Sequence, residues 1–148
     1  MLYCATASSR EVEETLESLL TRTPPQWQIT VLLGRHEKRL GELVRAVSAK
    51  HPQRATTIHG WTTQMPELLS THDVIISKGG GATVHECFAA GTPVLVNYFI
   101  PGQEAGNVEL LERRGCGWHV PETKSIGTAL TKLYESGQWT AAKTQMLH

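Results

Sequence analysis

Residues 73–107, DVIISKGGGATVHECFAAGTPVLVNYFIPGQEAGN, form the stretch around which the rest of the chain is organised. An apolar run at its start leads into three glycines, 79–81, and a segment of helical pattern follows over about 82–90. A second apolar run, 93–96, leads into a polar loop. This order predicts a strand, a glycine turn, a helix, a second strand and a loop.

The glycine turn in front of a helix is typical of an anion site. A helix that begins there directs unpaired backbone N–H groups and the positive end of its dipole at one spot, which suits phosphate. The alternative is a turn that needs glycine only for its own geometry. The stretch is not a P-loop, because no Gly-Lys-Ser/Thr follows, and Val84 breaks the dinucleotide-binding pattern after Gly79 and Gly81.

The motifs in this stretch resemble those of one group of enzymes. The turn 80–83 (GGAT) is followed by Glu86, then by 91–93 (GTP), then by 101–107 (PGQEAGN). This series resembles the donor-binding half of GT-B glycosyltransferases. It is most similar to the group of monogalactosyldiacylglycerol synthase, bacterial diacylglycerol glucosyltransferase and peptidoglycan GlcNAc transferase, with the last string closest to the diacylglycerol enzymes.

The resemblance implies a binding site for a UDP-sugar. In such a site an aromatic residue and its neighbour hold the uridine, the glycine turn holds the diphosphate, a glutamate holds the ribose, and a Gln-Glu pair holds the hexose. The corresponding residues here are Trp61, Thr62, Lys78, Gly80, Gly81, Ala82, Thr83, Glu86, Gln103 and Glu104. No catalytic residue and no metal ligand is assigned, and no cofactor is expected.

Each assignment has a plainer alternative that the residues leave open. Trp61 could pack in the core, Glu86 could be a solvated helix residue, and Glu104 could cap the next helix. Lys78 could bind phosphate or simply be solvated at a strand end. Asn107 is interpreted as a structural anchor of its loop rather than as a catalytic group.

The first turn of the chain departs from the family pattern. Residues 6–10, TASSR, contain no glycine, although this turn is usually glycine-rich in the family and faces the donor phosphates. A serine cap on the following helix explains Ser8 and Ser9 at least as well as a phosphate role does.

Strands that alternate with helices of about ten residues predict a parallel sheet with helices on both faces. The fold class is therefore α/β, a Rossmann-like doubly wound sheet of about six strands and one half of a GT-B fold. The chain is predicted to be a single domain over 1–148, with a polar, loose tail over 137–148. The predicted strands are 2–7, 28–33, 55–59, 73–77, 93–97 and 117–120.

Composition limits the function classes further. The 148 residues include 14 basic and 14 acidic side chains, so no broad attraction to nucleic acid is expected. Three cysteines at no metal-like spacing indicate reduced thiols, and no apolar run approaches the length of a transmembrane helix. We expect a cytoplasmic protein, with possible contact at the membrane face.

The resemblance implies an inverting transfer of glucose or galactose to a lipid such as diacylglycerol. The general base and the acceptor site of GT-B enzymes lie in an N-terminal domain, which we do not expect within these 148 residues. The chain alone is therefore expected to bind a UDP-sugar but to transfer little. Two alternatives are the donor-binding subunit of a split GlcNAc transferase, completed by a membrane subunit, and half of a sugar-nucleotide epimerase or hydrolase.

Overall fold

A computed structural model describes residues 1–147 and shows strands and helices in alternation. Within this range the strands are β1 (Leu2–Cys4), β2 (Ile29–Leu32), β3 (Thr56–His59), β4 (Ile75–Ser77), β5 (Val94–Val96) and β6 (Gly117–His119). The α-helices are α1 (Ser9–Arg22), α2 (Glu37–Ala49), α3 (Met65–Thr71), α4 (Gly81–Ala90), α5 (Ala105–Arg113), α6 (Ile126–Glu135) and α7 (Gln138–Met146). Short 3₁₀ turns, Gly34–His36 and Thr123–Ser125, precede α2 and α6.

The six strands form one parallel sheet in the order β3-β2-β1-β4-β5-β6. In the middle of the sheet, Tyr3 of β1 pairs with Val31 of β2 on one side and with Ile76 of β4 on the other. The order of strands reverses between β1 and β4, so the loops that leave these two strands diverge and open a crevice at their carboxyl ends. The predicted doubly wound fold is confirmed.

Alternate residues of the strands face two separate cores. Tyr3 and Ile76 point to the side covered by α1, α2 and α6, whereas Leu2, Cys4 and Ile75 point to the side covered by α3, α4 and α5. All of these side chains are at least nine-tenths buried. Removing one large apolar side chain from water stabilises the fold by about 1.5–3 kcal/mol, so both faces need their helices.

The strands are shorter than the sequence predicts. The first was expected over 2–7 and spans Leu2–Cys4, although the Ala5 N–H still donates to the Leu32 carbonyl at 3.0 Å. Beyond that bond the chain enters the turn before α1, at the carboxyl edge of the sheet.

The expected loose tail over 137–148 is wrong for the residues described. Residues 138–146 form α7, which buries Trp139, Ala142 and Met146. The Trp139 indole donates to the Asp73 carbonyl at 2.9 Å, and its ring packs edge-on against Trp27 at a centroid distance of 5.2 Å. Spacings of three and four residues between apolar side chains signal such a helix. His148 lies outside the described residues.

None of the helices within 1–147 combines the length and the apolar composition that crossing a bilayer requires.

Candidate functional site

A cavity of about 490 Å³ lies at the carboxyl ends of β1 and β4. Cys4, Thr6, Arg35, Lys78, Gly80 and Tyr98 are among its lining residues. A larger cavity, about 940 Å³, lies at the opposite edge of the sheet, where it touches Met1, Gln28 and Asp73. Ligands of open parallel sheets bind outside the carboxyl ends of the strands, at the point where the strand order reverses. The smaller cavity is therefore the candidate site.

Gly79 is fixed by close packing at the end of β4. A Cβ there would lie 3.1 Å from a Val108 methyl and 3.2 Å from the Phe99 Cβ, closer than ordinary contacts. Its N–H donates to the Tyr98 carbonyl, and its carbonyl accepts from the Asn107 side-chain amide, both at 3.0 Å. Asn107 is thus the structural anchor that the sequence suggests.

Gly80 and Gly81 have no comparable reason to be glycine. Both have negative φ, which any residue adopts. A Cβ on Gly80 would meet only Glu104 Oε2 at 3.5 Å, and one on Gly81 only Asn107 Nδ2 at 3.7 Å, which are ordinary contacts. Neither the turn geometry nor the protein packing explains these two residues. Glycine is common at an N-cap, and it also lets another molecule approach the backbone closely.

The amino end of α4 is open. The first bond within the helix runs from the Val84 N–H to the Gly80 carbonyl, so the N–H groups of Gly81, Ala82 and Thr83 have no partner inside the helix. Gly80 occupies the N-cap position and has no side chain to cap them. Ala82 is exposed and Thr83 half-buried, so the predicted turn is accessible at the cavity.

Lys78 and Glu104 form an ion pair beneath this turn. Lys78 Nζ lies 3.0 Å from Glu104 Oε1, and Glu104 also accepts from the Ile100 N–H at 3.2 Å. The Glu104 side chain is only 8% exposed. Its second oxygen, Oε2, is buried and has no hydrogen-bond partner among the described residues. Lys78 is thus not simply solvated, and Glu104 does not cap α5 through its side chain.

Glu86 lies on the exposed side of α4. Burial raises the pKa of the Cys4 thiol to about 12; the Ser77 hydroxyl opposes that rise, and the Glu86 carboxylate adds to it. Cys4 lines the cavity, whereas Glu86 is not among its lining residues. Glu86 has no ion pair or side-chain hydrogen bond with any residue of 1–147, so its carboxylate is available.

Trp61 is on the surface and not in the core. Its side chain is 66% exposed just beyond the end of β3, and the Arg35 guanidinium lies over its ring at 5.6 Å from the centroid. The Thr62 hydroxyl accepts from the Gln64 N–H at 3.0 Å, which stabilises the turn that holds the ring out. The alternative of a core tryptophan is therefore wrong.

The structure brings part of the predicted site to the cavity wall. Lys78, Gly80 and Thr83 line it directly, whereas Trp61 lies nearby through its contact with Arg35. Gln103 is exposed on the loop before α5, and nothing within 1–147 holds its side chain.

Side chains form hydrogen bonds throughout the turn after β1. Ser8 caps α1, because its hydroxyl oxygen accepts from the Glu11 N–H at 3.3 Å. Arg39 donates to the Ala7 carbonyl at 2.9 Å, and the Thr6 and Tyr98 hydroxyls hydrogen-bond to each other. The serine-cap interpretation is therefore confirmed, and the Ser8 hydroxyl occupies one of the N–H groups at this helix end.

Several lining residues were not assigned to the site from the sequence, and four of them follow the ends of strands. Arg35 and His36 follow β2, Thr6 follows β1, and Tyr98 follows β5. The signal that could have found them is topological: residues just beyond the carboxyl ends of strands next to the crevice meet there.

Within the described range, no three His, Cys, Asp or Glu side chains gather closely enough to hold a metal ion. All three cysteines are free and buried. Burial also raises the pKa of Cys87 to about 12, so it is not an activated nucleophile.

Comparison with curated proteins finds relatives in plants. Monogalactosyldiacylglycerol synthase 2 of Arabidopsis thaliana is 30% identical over 93% of this chain, and the Spinacia oleracea monogalactosyldiacylglycerol synthase is 32% identical over 74% of it. The chain spans 28% of the first protein and 20% of the second. The resemblance to this group of enzymes is confirmed.

Solved structures of glycosyltransferases share the fold. Anabaena HepE in complex with UDP matches with a TM-score of 0.72 and 17% identity, over 98% of this chain and 41% of that one. WaaG, a glycosyltransferase involved in lipopolysaccharide biosynthesis, matches with a TM-score of 0.68 and 18% identity, over 98% and 40%. Residues 5–146 match the sequence pattern of the glycosyltransferase family 28 C-terminal domain, and the chain belongs to that family.

Proposed function

We propose that this chain is the UDP-sugar-binding part of an inverting glycosyltransferase that transfers a hexose, glucose or galactose, to a lipid acceptor such as diacylglycerol. The chain binds the donor, and another domain or subunit supplies the acceptor site and the general base. The names of the relatives support galactose and diacylglycerol, and the chain spans only about a quarter of their length.

The observation that carries this proposal is the pair of glycines at the open end of α4. Gly80 and Gly81 are required neither by φ nor by packing, and they lie where three helix N–H groups have no partner. A diphosphate that comes within hydrogen-bond distance of these N–H groups accounts for both facts. The helix dipole adds about 0.3–1 kcal/mol of stabilisation for a negative charge at such a site.

The surrounding groups fit the other parts of the donor. The free Glu86 carboxylate can accept hydrogen bonds from two adjacent ribose hydroxyls, and the exposed Trp61 ring offers a face for a planar base. Glu104 Oε2 is a buried acceptor without a donor, 3.5 Å from where a Gly80 Cβ would stand. A carboxylate oxygen repels phosphate and attracts hydroxyl donors, so a hexose hydroxyl suits it. We assign Gln103, exposed on the loop before α5, to the same sugar.

The chemistry follows from these placements. In an inverting transfer the acceptor hydroxyl attacks the anomeric carbon, and UDP leaves from the opposite face with both bonding electrons. The growing negative charge on the diphosphate is stabilised by the N–H groups of Gly81, Ala82 and Thr83. The contacts to the base, the ribose and the hexose orient the anomeric carbon toward the acceptor. No residue of 1–147 is assigned as the general base.

Isothermal calorimetry with UDP, ADP and GDP tests the proposal. UDP is expected to bind most tightly, and Gly80→Ala is expected to weaken UDP at least about tenfold, the equivalent of about 1.4 kcal/mol. The melting temperature should hardly change, because an alanine fits the turn. Gly41→Ala, at a helix glycine outside the cavity, is the matched control for binding. Equal affinities for the three nucleotides would contradict the proposal.

A further inference from the structure

The charges that line the cavity do not match what a diphosphate needs unless one more residue takes part. Lys78 is the only predicted site residue with a positive charge, and its ammonium group is already paired with the buried Glu104 carboxylate at 3.0 Å. The pair is close to neutral as a unit. UDP carries two or more negative charges, so a cation that is not offset by a neighbouring carboxylate is missing from the predicted site.

Arg35 supplies such a cation at the cavity wall. It lines the same cavity as Lys78, Gly80 and Thr83, and its side chain is exposed. Within 1–147 it has no ion pair, and the nearby Glu37 is taken up by Arg45 at 3.6 Å. Arg35 is therefore the uncompensated cation of the cavity.

The backbone around Arg35 is fixed with respect to the site. The Leu33 N–H donates to the His59 carbonyl at 2.8 Å, and the Gly34 N–H donates to the Gly60 carbonyl at 3.1 Å. These bonds hold the turn after β2 against the turn after β3. They place the Arg35 guanidinium over one face of the Trp61 ring. A guanidinium held over a ring keeps its N–H edge free to donate, which is how arginine recognises phosphate oxygens.

We infer that Arg35 is the residue that binds the diphosphate of the donor from the side opposite the α4 helix end. This inference rests on the proposed function and adds a residue to it. The diphosphate then lies between the N–H groups of α4 and the guanidinium of Arg35. Since Arg35 covers one face of Trp61, the nucleobase stacks on the remaining exposed part of the ring.

The test compares UDP with uridine, which lacks the phosphates. Chemical-shift titrations of the full chain measure both dissociation constants, even when the binding of uridine is weak. In Arg35→Gln the affinity for UDP is expected to fall about 10- to 100-fold, the loss typical of a charge-assisted hydrogen bond. The affinity for uridine should change less than about threefold. Arg35→Lys, which keeps the charge, should recover much of the loss, and its recovery should weaken as salt is added.

Lys38→Gln is the matched control, because Lys38 is an exposed cation on α2 that does not line the cavity. It should leave both affinities unchanged, and an equal loss of UDP affinity in it would overturn the inference, since general charge would then explain the effect. An equal loss of UDP and uridine binding in Arg35→Gln would also overturn it, because Arg35 would then act only through Trp61. No change in either affinity would overturn it as well. If the unmodified chain does not bind UDP, the proposed function fails before Arg35 is considered.

Discussion

The turns after β1 and after β4 lie on the two sides of the same crevice, yet the helix after β1 has a side-chain cap and the helix after β4 has none. Their N-cap residues have nearly the same backbone conformation: φ −63° and ψ 158° at Ser8, φ −70° and ψ 143° at Gly80. Ser8 uses its hydroxyl to occupy an N–H of α1, whereas Gly80 leaves the N–H groups of α4 unoccupied. The topology thus provides two helix ends, and only the one after β4 lacks a side-chain cap.

The two helices also differ in the glutamate that lies six residues after each N-cap. Glu14 of α1 is engaged by Arg10 at 3.1 Å and by the Thr123 hydroxyl. Glu86 of α4, at the same distance from its N-cap, has no partner within 1–147. The carboxylate on the first helix is bound within the fold, whereas the carboxylate on the second has no partner within 1–147.

The largest expected effect is that of Glu86→Ala on the binding of UDP. The affinity should fall about 10- to 100-fold, because two charged hydrogen bonds to the ribose are lost. Calorimetry with UDP measures it, and Glu14→Ala is the matched control on α1. If the two variants bind UDP equally well, the comparison between the helices has no functional meaning.

A smaller effect is expected when the serine cap is moved to the open helix. In Gly80→Ser the new hydroxyl can accept from the Thr83 N–H, as Ser8 does from that of Glu11. The UDP affinity should fall about tenfold, while the free energy of unfolding should rise by a few tenths of a kcal/mol. Titration with UDP and urea denaturation measure the two changes. Unaltered UDP binding in a variant shown to be capped would mean that these N–H groups do not hold phosphate.

Removing the existing cap should change stability and not binding. Ser8→Ala should destabilise the chain by about 1 kcal/mol, which lowers the melting temperature by about 2–4 °C in a protein of this size. Thermal denaturation measures it, with Ser9→Ala, one residue further on, as control. A loss of UDP affinity in Ser8→Ala would show that the turn after β1 also contacts the donor.

The smallest effect is a pH dependence at Glu14. The Thr123 hydroxyl, and after it Arg10, holds the pKa of Glu14 below its ordinary value of 4.5. As the pH falls, the unfolded chain takes up this proton first, so stability present above about pH 4.5 is lost as the pH falls through the lower folded pKa. Denaturation midpoints between pH 6 and pH 3 should fall less steeply in Glu14→Gln than in the unaltered chain. Glu13→Gln serves as the control, and a slope in Glu14→Gln equal to that of the unaltered chain would contradict the assignment.

The order of strands and helices could be predicted from the sequence because apolar runs and glycines mark it locally. The glycine turn, the exposed α4 glutamate and the role of Asn107 were also within reach, since each depends on neighbours in the same stretch. The helix α7 was missed because only Trp139, Ala142 and Met146 of it are buried, too few to stand out from the polar residues around them despite their helical spacing.

Contacts between distant segments could not be predicted in the same way. The pairing of Lys78 with Glu104 joins two loops, and the contact between Arg35 and Trp61 joins the turns after β2 and β3. Such contacts depend on how adjacent strands place their ends, which a single sequence does not specify. The first contact offsets the charge of Lys78, and the second leaves the charge of Arg35 uncompensated.

The pairing of Lys78 with the buried Glu104 has a consequence for redesign of the sugar preference. A variant at Glu104 removes the partner of Lys78 and the acceptor of the Ile100 N–H, so it disturbs the loop along with any sugar contact. Gln103, next to it in the chain, is exposed, and its side chain has no hydrogen bond within residues 1–147. Libraries that aim to exchange one hexose for another should therefore randomise Gln103 and keep Glu104.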